Sequence, residues 1–151
     1  MQNNMARTSK GLLAPKEYFE FSGGYIDEIT NGCGPAGWKF DLVPDTIYGL
    51  NVAKACEIHD ICYHIGETVE DKKYADKIFL ENLYTIIRNR GGNKLLIWLR
   101  KRRADKYFFF VDVFGFLSFK EEKPAKIPWL TKELAYLFRV PIAFCYRKFR
   151  R

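Results

Sequence analysis

Cysteine is scarce in this chain, with four among 151 residues at positions 33, 56, 62 and 145. That excludes a mini-protein held together by dense disulfides. Histidine is scarcer, with His59 and His64 alone, so a metal-dependent phosphohydrolase, which would need further imidazoles, is disfavoured. No C-x-x-C knuckle of the zinc-binding kind occurs. The longest strongly apolar run, Tyr107–Phe119, has 13 residues and contains Asp112. A bilayer-spanning helix needs roughly 20. The opening MQNNMARTSKGLLAPKEY lacks an apolar h-region, so no Sec signal peptide is expected. Internal repeats and low-complexity segments are absent too.

What is present is a chain rich in core-forming residues, 48% hydrophobic and 17% aromatic. Such a composition excludes general disorder, and the length suits one domain that needs no disulfide to hold a core. Charge is divided unevenly. Residues 1–87 carry 8 Lys+Arg against 13 Asp+Glu, a net of −5, and residues 88–151 carry 17 against 5, a net of +12. A basic half of this kind points to an anionic partner, whether phospholipid, nucleic acid or acidic protein, or to a solvated surface serving solubility.

The class is mostly α. Residues 1–24 read as a polar arm ending at Ser22-Gly23-Gly24, and residues 30–49 have the Gly and Pro content of a loop. From Leu50 to Ile65 no Gly or Pro intervenes, and Gly66 stands where a helix C-cap belongs. Thr68, with Asp71 three residues on, is an N-cap followed by a first-turn acid, predicting a second helix to about Arg90. Asn93 caps a third through Arg103 or beyond, while Tyr107–Phe119 suits either helix or buried strand. Pro124 and Pro128 mark a break, Thr131 a new start and Pro141 a kink or end.

The second helix carries an anomaly. Phe79, Leu80, Leu83, Ile86 and Ile87 form an apolar stripe at helical spacing, and Asp76 lies on it. A buried carboxylate is costly without a partner, and His59, His64 or tyrosines are the candidates. An Asp near a helix start can instead cap or fray toward water. The first helix contains Cys56, His59 and Tyr63 at i, i+3 and i+7, on one face, with Asp60 about 100° round from His59. Upstream, Asn31-Gly32-Cys33-Gly34-Pro35-Ala36-Gly37 is a loop of small residues whose carbonyls can converge. Carbonyl and carboxylate oxygens in that arrangement suit a hard cation such as calcium.

At these residues the chain resembles the phospholipase A2 family. Cys33-Gly34-Pro35-Ala36-Gly37 matches the calcium loop, and Cys56-x-x-His59-Asp60-x-Cys62-Tyr63 matches the catalytic helix. The resemblance covers roughly residues 30–87. It implies two antiparallel core helices carrying the site, preceded by the calcium loop, with further C-terminal helices. Residues 1–29 would be an arm, 30–90 the catalytic core, and 91–151 a basic, aromatic-rich helical region packed on or extending it. It further implies that His59 activates a water against the sn-2 ester of a glycerophospholipid, oriented by Asp76 and supported by Tyr63. Calcium would bind Asp60 and the carbonyls of Gly32, Gly34 and Ala36, and Cys33 would pair with Cys56. An imidazole is suited to accept a proton near neutral pH, and a divalent cation stabilises an oxyanion without proton transfer.

The chain departs from the pattern at Ala36, where the loop often has glycine, and at Ala75, where many secreted relatives have a cysteine. Cys62 thus lacks its usual partner. Few disulfides liken it to microbial and viral versions rather than to venom or pancreatic ones. An anionic phospholipid bilayer surface is the expected partner, met through Arg100, Lys101, Arg102, Arg103 and Trp98. Peripheral membrane contact and export or viral delivery follow as the expected setting. Three rivals remain. Cys33, Cys56, His59 and Cys62 could form a zinc set, although Cys62 projects about 240° from Cys56, off the shared face. A catalytically inactive phospholipase-like domain could bind lipid or protein. The basic cluster could serve nucleic acid, less favoured because Trp98 and Tyr107–Phe110 flank it and equally suit a core.

Overall fold

The computed structural model describes residues 3–30, 44–115 and 119. Among these, five helices and two small antiparallel sheets make a mostly α fold. Strands β1 (Met5–Arg7) and β2 (Leu13–Pro15) form a hairpin in which Ala6 pairs with Ala14. Helices α1 (Glu17–Glu20) and α2 (Gly23–Ile29) follow. A second hairpin, β3 (Thr46–Ile47) and β4 (Leu50–Asn51), leads into α3 (Ala53–Ile65), α4 (Val69–Arg90) and α5 (Lys94–Phe114).

Local sequence sets these boundaries. Tyr48 and Gly49 both have positive φ, 46° and 72°, the mirror-image turn whose twist suits a two-residue hairpin. That hairpin takes Leu50 and Asn51, so α3 begins three residues later than the absence of Gly and Pro suggests. The side chain of Asn51 then accepts a hydrogen bond from the Ala53 amide at the helix start. At the other end Gly66 does terminate α3, but in extended backbone (φ −75°) that needs no glycine. Thr68 and Asp71 form a reciprocal capping box at the start of α4. Asn93 accepts from the Leu96 amide to open α5, which continues as one helix through the aromatic run to Phe114.

Helices α3 and α4 run antiparallel across the short Gly66–Thr68 link. One core cluster joins Val52, Ala55 and Cys56 to Phe79, Leu83 and Ile87 of α4, and to Ala104, Tyr107 and Phe110 of α5. Helix α5 thereby covers α4, and the Tyr107 hydroxyl donates to the carbonyls of Pro44 and Thr46 beside the second hairpin. A second cluster, of Leu12, Ala14, Ile58, Cys62 and Ala75, seats the first hairpin against α3 and α4. Asn82 pins it there. Its amide accepts from the Leu13 N–H and donates to the Leu13 carbonyl, both at 2.8 Å. The segment read as a polar arm is thus partly core. No helix of the described residues is long and apolar enough to cross a membrane.

Candidate functional site

The antiparallel pairing of α3 and α4 brings His59 opposite Asp76. Asp76 is 1% exposed and His59 7%, and His59 Nε2 lies 2.9 Å from Asp76 Oδ1. An ionised carboxylate only accepts, so Nε2 carries the proton and donates it, leaving the lone pair on Nδ1. The Tyr63 hydroxyl donates to the same Oδ1 at 2.6 Å. The His59 ring is held between Tyr63 and Phe79, with centroids at 4.2 and 4.9 Å. His59, Asp76 and Tyr63 therefore converge as the helical pattern anticipates. His64 does not join them; exposed on the other side, its Nε2 is 3.1 Å from the Tyr25 hydroxyl.

Lys72 also belongs to this site, four residues before Asp76 on the same face of α4. Its Nζ lies 2.7 Å from Asp76 Oδ2, and the side chain is 3% exposed. Burial alone would raise the Asp76 carboxyl. Hydrogen bonds from His59, Lys72 and Tyr63, with the attraction of His59, outweigh that and hold it below the usual carboxylate range. The Tyr63 phenol is pushed far up by burial, then by the charge of Asp76. It stays a neutral donor at any ordinary pH.

Asp60 follows His59 on α3 and is half-buried. Its carboxylate is an oxygen donor of the kind calcium takes, so the chemistry of this one position fits a hard cation. The other expected donors, the carbonyls of Gly32, Gly34 and Ala36, lie outside the described residues, as do Cys33 and Cys145. Among the described residues no group of three or more His, Cys, Asp or Glu side chains is placed to hold a metal. Cys56 is buried in the main core cluster, 3% exposed. Cys62 is free and buried, its thiol pushed up to about 12 by burial. It shares its cluster with Ala75, so a small residue fills the position facing the unpaired thiol.

The basic cluster on α5 is not one surface. Trp98 is 55% exposed, Lys101 and Arg102 are exposed, and Arg103 is half-buried with its guanidinium over the Tyr107 ring. Arg100 corrects the sequence reading. It is 5% exposed and donates to the carbonyls of Gly91 and Tyr48, so it ties α5 to the end of α4 and to the second hairpin. Helical spacing explains it, because Arg100 shares its face with buried Ala104 and Tyr107. Arg100→Gln is expected to lower stability by about 1–3 kcal/mol by removing the charged hydrogen bonds that this buried side chain donates. Lys101→Gln and Arg102→Gln should leave thermal unfolding unchanged. Equal melting temperatures for all three would contradict this division.

Fold and site together define a helical protein with a buried His–Asp pair on two antiparallel helices. Over 50 residues it is 38% identical to Conodipine-P3 of the cone snail Conus purpurascens, a stretch covering 32% of this chain and 28% of that protein. That relative is an animal protein rather than a microbial or viral one. No family model matches the chain, and no solved structure matches it.

Proposed function

We propose that the protein is a calcium-dependent phospholipase A2, hydrolysing the sn-2 ester of glycerophospholipids with a water activated by His59. The observation that carries this reading is the buried bond between His59 Nε2 and Asp76 Oδ1 at 2.9 Å. It leaves Nδ1 as a base with a fixed direction. The partial similarity to Conodipine-P3 accords with a phospholipase A2-like relationship over that stretch and reaches no further.

His59 Nδ1 takes a proton from water as the oxygen attacks the ester carbonyl. Asp76 holds the tautomer and stabilises the imidazolium that forms, and Tyr63 fixes the carboxylate oxygen that meets the ring. The proton then returns from Nδ1 to the departing alkoxide. No serine or cysteine nucleophile takes part. Asp60, with the carbonyls of Gly32, Gly34 and Ala36, would hold calcium. When bound, the ion supplies charge stabilisation for the oxyanion and a hold on the substrate phosphate. A Cys33–Cys56 disulfide would tie that loop to α3, closing about 24 residues and contributing up to ~3 kcal/mol through chain entropy.

The substrate surface is an anionic phospholipid bilayer, met through Trp98, Lys101 and Arg102 on α5. Each exposed basic residue there contributes about 1 kcal/mol of adsorption, which salt weakens. The test is metal dependence. Fatty-acid release should stop with a chelator and return with millimolar calcium but not zinc, which prefers nitrogen and sulfur ligands. Asp60→Asn should shift the calcium requirement upward by at least tenfold. Hydrolysis that persists without calcium contradicts the assignment of the loop, and lipid binding without hydrolysis favours an inactive phospholipase-like domain.

The end of α5 bears on the same chemistry. A Cβ on Gly115 would collide with both the Val111 carbonyl and the Tyr63 hydroxyl, and of the two the side chain is the freer to move. Phe119 meets the Tyr63 ring edge-on at 5.2 Å between centroids. Gly115→Ala is therefore expected to displace Tyr63 from Asp76 and lower turnover by up to ~10²-fold. Turnover at the wild-type level in the folded variant would show that the contact yields without moving Tyr63.

A further inference from the structure

Lys72 is a costly residue to bury, and its surroundings account for it. Its ammonium has three protons, and the structure supplies three acceptors. They are Asp76 Oδ2 at 2.7 Å, the Val111 carbonyl at 3.2 Å and the Asp112 carbonyl at 3.0 Å. The two carbonyls belong to the last turn of α5, where the helix presents its negative end, and the Val111 carbonyl also accepts from the Gly115 amide at 2.8 Å. The carboxylate of Asp76 is consequently held from both sides. Oδ1 takes His59 and Tyr63, and Oδ2 takes Lys72.

We infer that Lys72 is a positioning residue for the His59–Asp76 pair, locking the carboxylate's rotation and anchoring it to the C-terminal turn of α5. The inference rests on the function proposed above and deepens it, since the resemblance to phospholipases reaches neither the Val111 and Asp112 carbonyls nor any of α5. Three consequences follow from the geometry. A carboxylate bound at Oδ1 alone can swing about its Cβ–Cγ bond, whereas one also clamped at Oδ2 presents a fixed oxygen to the imidazole. The paired charges of Lys72 and Asp76 make the buried group neutral overall, so burial does not drive a proton onto the carboxyl. And α5, from the half of the chain that carries the excess positive charge, becomes part of the scaffold that aims the base.

The test uses Lys72→Met in the full chain, which keeps most of the buried stem and removes the charge and all three donors. With a monomeric short-chain phospholipid and saturating calcium, kcat per folded molecule should fall on the order of 10²-fold. KM should stay within about twofold, because the substrate itself is not touched. In parallel, the proton NMR signal of the His59 Nε2–H, which reports its bond to Asp76, should shift or vanish through exchange with water. A residue that only stabilises the fold would lower the melting temperature and leave both the NMR signal and kcat per folded molecule unchanged. That result overturns the inference. The NMR arm needs no turnover, so it still decides the matter if the wild-type protein proves to hydrolyse no phospholipid and the functional reading fails alone. If Lys72→Met does not fold, Lys72→Gln, which can still donate to the carbonyls of Val111 and Asp112, carries the same readouts and the same two outcomes.

Discussion

Asp76→Asn is expected to lower turnover by about 10⁴-fold in a chain that stays folded, the loss typical of a histidine base held in the wrong tautomer. The surroundings decide which way the new amide turns. The Lys72 ammonium can only donate and faces the Oδ2 position, so the carbonyl of the introduced amide must take that side. Its NH₂ then faces His59 and Tyr63. Tyr63 can accept in place of donating, because a hydroxyl does both. The imidazole must also accept at Nε2, which puts its proton on Nδ1 and removes the lone pair that would take a proton from water. Nitrogen NMR of the His59 ring should report the reversed tautomer, and steady-state kinetics on a monomeric substrate the loss. Near-wild-type turnover with the tautomer reversed would detach His59 from the chemistry.

His59→Gln should cost about 10²–10⁴-fold in turnover, the range for a lost general base. Glutamine can still donate an amide proton to Asp76 and sit between Tyr63 and Phe79, so the variant should fold. What it lacks is a basic nitrogen. A histidine kept only for packing would behave in the opposite way, with stability falling and activity per folded molecule unchanged. Circular dichroism alongside a rate measurement separates the two. The effects of His59→Gln and Asp76→Asn should combine to far less than their product, because both remove the same base.

Asp76 shows what the sequence makes legible. A carboxylate on an apolar helical stripe, with a histidine and a tyrosine sharing a face on the preceding helix, is a local pattern in each helix. A short link then brings the two faces together. The capping box at Thr68 and Asp71 and the cap at Asn93 are local in the same sense, and they start α4 and α5 where expected. Lys72 is legible only in part: it stands four residues before Asp76 on the same face, but its other partners are hidden. It stands in a Lys-Lys pair near a helix start, the composition of a solvated face, and two of its three acceptors are main-chain carbonyls 39 and 40 residues away. Carbonyls leave no mark on the sequence.

Arg100 is legible but easily misread. A run of four basic residues suggests one charged patch, but a helix turns 100° per residue and so sends one of them inward with Ala104 and Tyr107. The docking of the first hairpin through Asn82 and Leu13 depends on a side chain imitating a neighbouring strand's hydrogen bonds, and only the folded arrangement reveals it. The aromatic run after Arg103 shows no period because α5 is buried on one face by α4, while Phe109 and Val113 remain exposed on another.

The central claim is that His59 and Asp76 drive water against one particular ester of a phospholipid. The most direct test is release of fatty acid from anionic vesicles whose lipids carry distinguishable labels at sn-1 and sn-2, with and without calcium. The account predicts release of the sn-2 label alone, only with calcium, and at least ~10²-fold less with His59→Gln. Release from sn-1, release without calcium, or equal release by the His59→Gln variant would contradict it.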